Sequence, residues 1–188
     1  MEPEEVVEEI ASESGKPGWF GLLALTTIVL AVGATLASFK EGNNSVDSVL
    51  NQTQAANQWA YYQAKSIKSY LYEIEKEKLE RELKMSRARL TPDIATEYET
   101  KIAEYKKDIE RYAEEKKGIA KQAKEFEGQR DLAQRRAETF GLAVIFLQMG
   151  ILLCSVAALM TRKSMWAAGV VVGAIGLVYF ANGFVLFM

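Results

Sequence analysis

The side chains able to do chemistry in this chain fall into two sets. The first is a single thiol, Cys154, in a sequence with no histidine. A lone thiol has no imidazole for acid/base work, no second cysteine for a disulfide within the chain, and no company for the usual zinc ligand sets. It lies in an uncharged stretch, on the continuation of a packing seam, where a small apolar residue suits packing. The second set is the charged residues: 20 of the 23 Lys and Arg and 19 of the 25 Asp and Glu lie between residues 40 and 139. Carboxylates and lysines can move protons when a cleft gathers them. Here they alternate in sign along helix faces, as the exposed flanks of a coiled coil do. The near-even balance also lacks the basic excess of a nucleic-acid-binding surface. The reading is of a chain that is not an enzyme, with no catalytic residue, no cofactor, no metal ligand and no nucleic-acid partner.

The elements that position these charges are helices. From Ala95, spacings of three and four pass through Tyr98, Ile102, Tyr105, Ile109, Tyr112, Lys116, Ile119, Ala123, Phe126, Arg130, Ala133 and Ala137 to Phe140. Only Lys116 and Arg130 among these are polar. A mean spacing of 3.5 held over so many turns is the seam of a left-handed coiled coil, and such a helix needs a partner along its length.

Three stretches, 19–39, 140–160 and 164–188, carry no charge, and each is at least 21 residues long. At about 1.5 Å per residue, each can cross a hydrocarbon core of roughly 30 Å. The expected fold class is therefore an all-α membrane protein. Its three transmembrane helices are 19–39, 140–160 and 165–188, and a long antiparallel helical hairpin, 40–139, is inserted between the first and second. An acidic flexible tail, 1–18, precedes them, without the basic start and cleavage site of a secretory signal, so the first span is expected to remain in the mature protein. A short basic turn, 161–164, joins the last two spans. Trp19 and Phe20 read as an interfacial anchor, and the hydroxyls of Thr26, Thr27, Thr35 and Ser38 can bond the carbonyl one turn back. Gly33 and Ala37 form a pair of small residues that admits another helix.

The first arm reads with a seam at Val46, Leu50, Thr53, Asn57, Ala60, Ala64, Ile67, Leu71 and Ile74, degrading to Lys78, Arg81, Met85 and Ala88. Leu79, Leu83 and Leu90 point to a local shift of the buried face. Thr91 suits a helix N-cap, Pro92 the first helical position and Asp93 the positive helix end, so the chain should turn there. Both arms must return to the same membrane face, which makes them antiparallel. Opposed seam positions are then Met85 with Tyr98, Ile74 with Ile109, Leu71 with Tyr112, Ala64 with Ile119 and Asn57 with Phe126. Inside the membrane they are Phe39 with Val144, Leu36 with Leu147, Val32 with Ile151 and Val29 with Cys154. An interruption near Gly42 is compatible with this scheme. Each arm should extend roughly 65–70 Å.

In the third span Gly169, Gly176 and Gly183 repeat every seven residues, and Gly169 with Gly173 makes GxxxG. This is a groove for a close helix, either one from the same chain or the same face of another copy. Gln148, Tyr179 and Asn182 are expected to face other helices and hydrogen-bond there.

The run Asn57-Gln58-Trp59-Ala60-Tyr61-Tyr62-Gln63-Ala64-Lys65-Ser66-Ile67-Lys68 resembles the signature of a bacterial membrane family known as domain of unknown function number 4337. The layout of tail, span, charged insertion and two close spans is similar too. The resemblance implies the fold and a bacterial inner-membrane location, and supplies no activity. Members with a His-rich tail differ from this chain, whose tail is acidic and lacks His. By their own chemistry, Trp59, Tyr62 and Lys65 cluster on a face adjoining the seam, with Tyr61 and Lys68 on another flank. This aromatic-and-lysine patch is either an interchain contact or, for Trp59 and Tyr62, a widening of the intrachain core.

Arg162 and Lys163, in a very short turn, favour an extracytoplasmic hairpin, whereas the basic residues before the second span favour a cytoplasmic one. Long insertions follow the positive-inside rule less strictly than short turns, which favours the first. The leading functional expectation is a self-associating structural or scaffold protein in the lipid bilayer, a homo-oligomer displaying its hairpin. The alternatives are an accessory or sensory subunit of a membrane-protein partner, motivated by the broken seam near Lys78 and Arg81, and an oligomeric channel.

Overall fold

The computed structural model describes residues 18–87 and 89–186, and within them every element is a helix. The expected tail, apart from Gly18, and the seam residue Ala88 lie outside the described residues. The helices are α1, Trp19–Ser86, α2, Pro92–Met160, and α3, Lys163–Val185. Each contains a window long and apolar enough to cross a membrane.

Helix α1 runs through Gly42 without a break. A single helical glycine costs only about 1 kcal/mol relative to alanine, which a long helix absorbs. Close by, Asn44 Nδ2 donates to the Lys40 carbonyl at 2.7 Å. Upstream, the hydroxyls of Thr26, Thr27 and Thr35 donate to the carbonyls of Leu22, Leu23 and Ala31. The threonines thereby satisfy their own polar groups inside an apolar segment, as their spacing from carbonyls one turn back requires.

The helix ends at Ser86, and the Ser86 carbonyl accepts from both the Arg89 and the Leu90 N–H groups. Pro92 opens α2, Asp93 sits in its first turn, and the Ala95 N–H donates to the Thr91 carbonyl at 3.1 Å. Between α2 and α3 the chain turns at Thr161, whose φ is 52°. The Arg162 N–H then reaches back to the Ala157 carbonyl at 3.2 Å, which closes α2 with a Schellman-type bond.

The chain divides into two compact units: Met1–Val46 with Ala133–Met188, and Asp47–Leu132. In the first, Leu30, Ala34 and Ala37 of α1 meet Ala143, Leu147 and Cys154 of α2. Trp166, Tyr179 and Phe180 of α3 pack against that cluster. The inward face of α1 thus carries Leu23 and Leu30 together with the small residues Gly33, Ala34 and Ala37. Val29, Val32, Leu36 and Phe39, expected to pair with α2, are instead half or more exposed. At Gly33 a methyl group would stand 3.5 Å from the Leu177 side chain and 3.6 Å from that of Leu147, ordinary van der Waals contact.

In the second unit every expected seam position of α2, from Ala95 to Arg130, is buried or half-buried. The expected α1 face is not. Leu50, Ile67, Leu71 and Ile74 are 53–60% exposed, and Thr53, Asn57, Ala60, Ala64 and Met85 also face out. The packed face lies on the other side of the helix, through Ala55, Tyr62, Ser69 and Tyr72 to Leu79 and Leu83. It continues past Lys78 and Arg81, both of which are exposed. The broken seam read there belongs to the outward face.

Candidate interaction surfaces

Within the Asp47–Leu132 unit, polar and aromatic contacts join α1 and α2 alongside the buried aliphatic residues Ala55, Ile119 and Ala123. Arg130 Nη1 donates to Gln52 Oε1 at 2.7 Å, and Trp59 Nε1 donates to Glu127 Oε1 at 2.8 Å. The Lys65 ammonium lies 2.6 Å from Glu115 Oε2, and near the turn Arg87 and Glu99 stand 3.9 Å apart. Numbering therefore falls along α2 as it rises along α1. Tyr72 stacks on Tyr112 with ring centroids 5.7 Å apart and also touches the Tyr105 ring. It is Tyr72 that carries this ring contact, where Leu71 had been expected opposite Tyr112.

Lys65 is the hub. Its ammonium sits 5.2 Å from the centre of the Tyr112 ring and 5.3 Å from that of Tyr61, besides its ion pair with Glu115. Negative ring faces and a carboxylate together hold a cation whose stem is half-buried. The hydrogen bond to Glu115 raises the Lys65 pKa above its ordinary value, against a smaller opposing effect of burial. The same bond holds the Glu115 carboxyl below the usual carboxylate range, again against burial and with help from the charges of Lys65 and Arg111. Interaction with the Tyr112 phenol, and then burial, keep the Tyr72 hydroxyl above its ordinary value.

Of the aromatic run, Trp59 and Tyr62 turn toward α2. Their rings make an edge contact at 5.6 Å, and Lys116 lies 5.9 Å over Tyr62. Tyr61 remains 50% exposed. Of the three candidate interface rings, Trp59 and Tyr62 pack inside the unit and Tyr61, on the other flank, stays at the surface.

The glycine face of α3 is filled by the chain's own helices. A methyl at Gly169 would stand 2.9 Å from Cys154 Sγ, and one at Gly173 would stand 2.5 Å from Leu30. One at Gly176 would meet the Leu147 backbone nitrogen at 2.9 Å, and one at Gly183 would meet the Phe140 ring at 2.6 Å. Gly150 of α2 completes the groove, 3.0 Å from the Gly173 Cα by the same measure. Sequence reasoning missed Gly150. Its signal is its place midway between Leu147 and Cys154 on the buried 3–4 spacing of α2. Asn182 is buried among these contacts.

Gln148 is different. It is exposed, and with Ala34, Thr35, Ser38 and Phe39 it lines a shallow cleft of about 380 Å³ on the side of the same unit. Thr35 already donates to Ala31, and Gln148 makes no hydrogen bond among the described residues.

The turn residues sit where their types suit them, with Thr91 before, Pro92 at and Asp93 just inside the start of α2. Among the described residues no group of three or more His, Cys, Asp or Glu side chains is placed to hold a metal ion.

The family described as domain of unknown function (DUF4337) matches residues 19–186, and the chain belongs to that family. Neither the curated proteins nor the solved structures include a match to it.

Proposed function

We propose that this member of the family is a membrane-anchored, self-associating structural protein that displays an antiparallel coiled-coil hairpin and has no catalytic activity. The three apolar helical windows anchor it in a bacterial inner membrane, and the Asp47–Leu132 unit is the hairpin, on the extracytoplasmic side.

The observation that carries the self-association is Gln148. A side-chain amide within a span meets no water, and leaving it unpaired in hydrocarbon costs several kcal/mol. Interhelical hydrogen bonding is the usual remedy. Its own chain supplies no partner among the described residues, so a neighbouring copy does. The pairing of Lys65, Glu115, Trp59 and Glu127 inside the other unit supports a structural role, because the groups most able to do chemistry there are engaged in holding helices together.

Size determination of the intact protein in nanodiscs or mild detergent tests this. An oligomer is expected, weakened in Gln148→Leu, and a strict monomer overturns the reading. For topology, a cysteine at Thr91 should react with an impermeant reagent added outside intact cells, since Cys154 is fully buried and supplies an unreactive background.

A further inference from the structure

The outward face of α1 in the Asp47–Leu132 unit is itself a heptad seam. Leu50, Asn57, Ala64 and Leu71 repeat every seven residues, and Thr53, Ala60, Ile67 and Ile74 complete the alternation of four and three. All eight are exposed, and Val49, Tyr61 and Tyr70 widen the stripe on its flanks at 50–68% exposure. The chain's own partner helix occupies the opposite face, at Ala55, Tyr62 and Ser69. A solvated helix face has no reason to keep this period. The outward face of α2 shows the contrast, with exposed Lys101, Glu104, Lys107, Arg111 and Glu114.

We infer that this stripe is the docking surface for a second copy of the chain, joined as a parallel, in-register coiled coil with Asn57 paired to Asn57. The inference rests on the proposal above, since copies anchored with one topology in one membrane run in the same direction. In a parallel coil the Leu50 series takes the a positions and the Thr53 series the d positions. Asparagine at a single a position is the residue that fixes two-strandedness and register, because any offset buries its amide against an apolar side chain.

Charge agrees with self-pairing. The g positions, Val49, Ala56, Gln63 and Tyr70, are all uncharged, so Lys68 and Glu75 at e never meet a like charge across the symmetry axis. Area agrees as well. Seven large apolar or aromatic side chains, each at least half exposed, offer on the order of 800 Å² per copy, the amount each partner buries in an interface of standard size.

The test uses the full chain in nanodiscs or mild detergent. In a parallel in-register dimer, identical a or d positions approach within the ~7 Å between Cα atoms that a disulfide needs. Ala64→Cys and Leu71→Cys should each give cross-linked dimers on mild oxidation, while Glu114→Cys and the parent chain, with only buried Cys154, should not. The double variant Ile67→Glu, Leu71→Glu replaces exposed side chains and leaves the packed face untouched. It should weaken dimerisation at least about tenfold. Helicity measured by circular dichroism should be unchanged. An oligomer that persists undiminished in the double variant overturns this seam but leaves self-association standing. A parent chain that is monomeric at every concentration overturns both. Cross-linking at Glu114 equal to that at Leu71 also overturns the seam.

Discussion

At the scale of single residues, the Lys65–Glu115 pair ties stability to pH. Glu115, held below its ordinary value mainly by the hydrogen bond from Lys65, contributes stability that is complete above the usual carboxylate range and is lost as pH falls through the depressed value. Lys65, raised mainly by the same bond, contributes stability that is complete below the ordinary lysine value and is lost as pH rises through the raised one. The pair therefore works across the neutral range and fails first in acid. Thermal unfolding followed from neutral pH into acid should show a loss in the parent chain that is absent from Glu115→Gln, which starts lower. Two curves falling in parallel would assign the acid sensitivity elsewhere. Trp59→Phe keeps the ring near Tyr62 and removes the bond to Glu127. A loss of about 0.5–1.5 kcal/mol is expected on denaturant unfolding, with the oligomer size unchanged because the ring faces α2.

At the scale of elements, the two long helices were not equally legible. Helix α2 carries one stripe of bulky apolar residues between charged flanks, so periodicity could select only one face, and that face is buried. Helix α1 carries two stripes. Ranking faces by hydrophobicity picks Leu50, Ile67, Leu71 and Ile74, but packing is decided by fit to the partner. The partner offers Tyr112, Glu115, Lys116 and Glu127, which suit Trp59, Tyr62, Lys65 and Tyr72. Amphipathic side chains bury their stems while pairing their tips, a payoff that hydropathy does not register. The turn was legible at Thr91–Asp93 because proline chemistry is local. The glycine groove was legible in α3 and hidden in α2, where no other glycine lies one or two helical turns from Gly150.

The glycines also set a contrast that can be measured. Gly176→Ala should cost about 1–3 kcal/mol, because its new methyl would press on the Leu147 backbone, which cannot move aside. Gly33→Ala makes only ordinary contacts of 3.5–3.8 Å and gains helix propensity. It should be neutral or stabilising in the same denaturation assay. Thr161 holds a left-handed conformation that β-branched residues resist. Thr161→Gly should relieve this strain and stabilise the protein by roughly 0.5–1 kcal/mol.

At the scale of the whole molecule, the chain joins apolar windows and charged paired segments within the same helices. The family match covers nearly all of it, so the proposed role belongs to this layout as a unit. The antiparallel pairing also governs how the protein is made. Gln52 and Arg130 are 78 residues apart and Trp59 and Glu127 are 68, whereas Arg87 and Glu99 face each other across the turn. Closing the widest pair first would carry the full loop entropy. Closing outward from the turn charges each new contact only for the few residues added since the last. Assembly of the Asp47–Leu132 unit should therefore behave as a zipper started at Pro92. Disrupting that end would slow folding while barely altering the rate at which the finished structure opens.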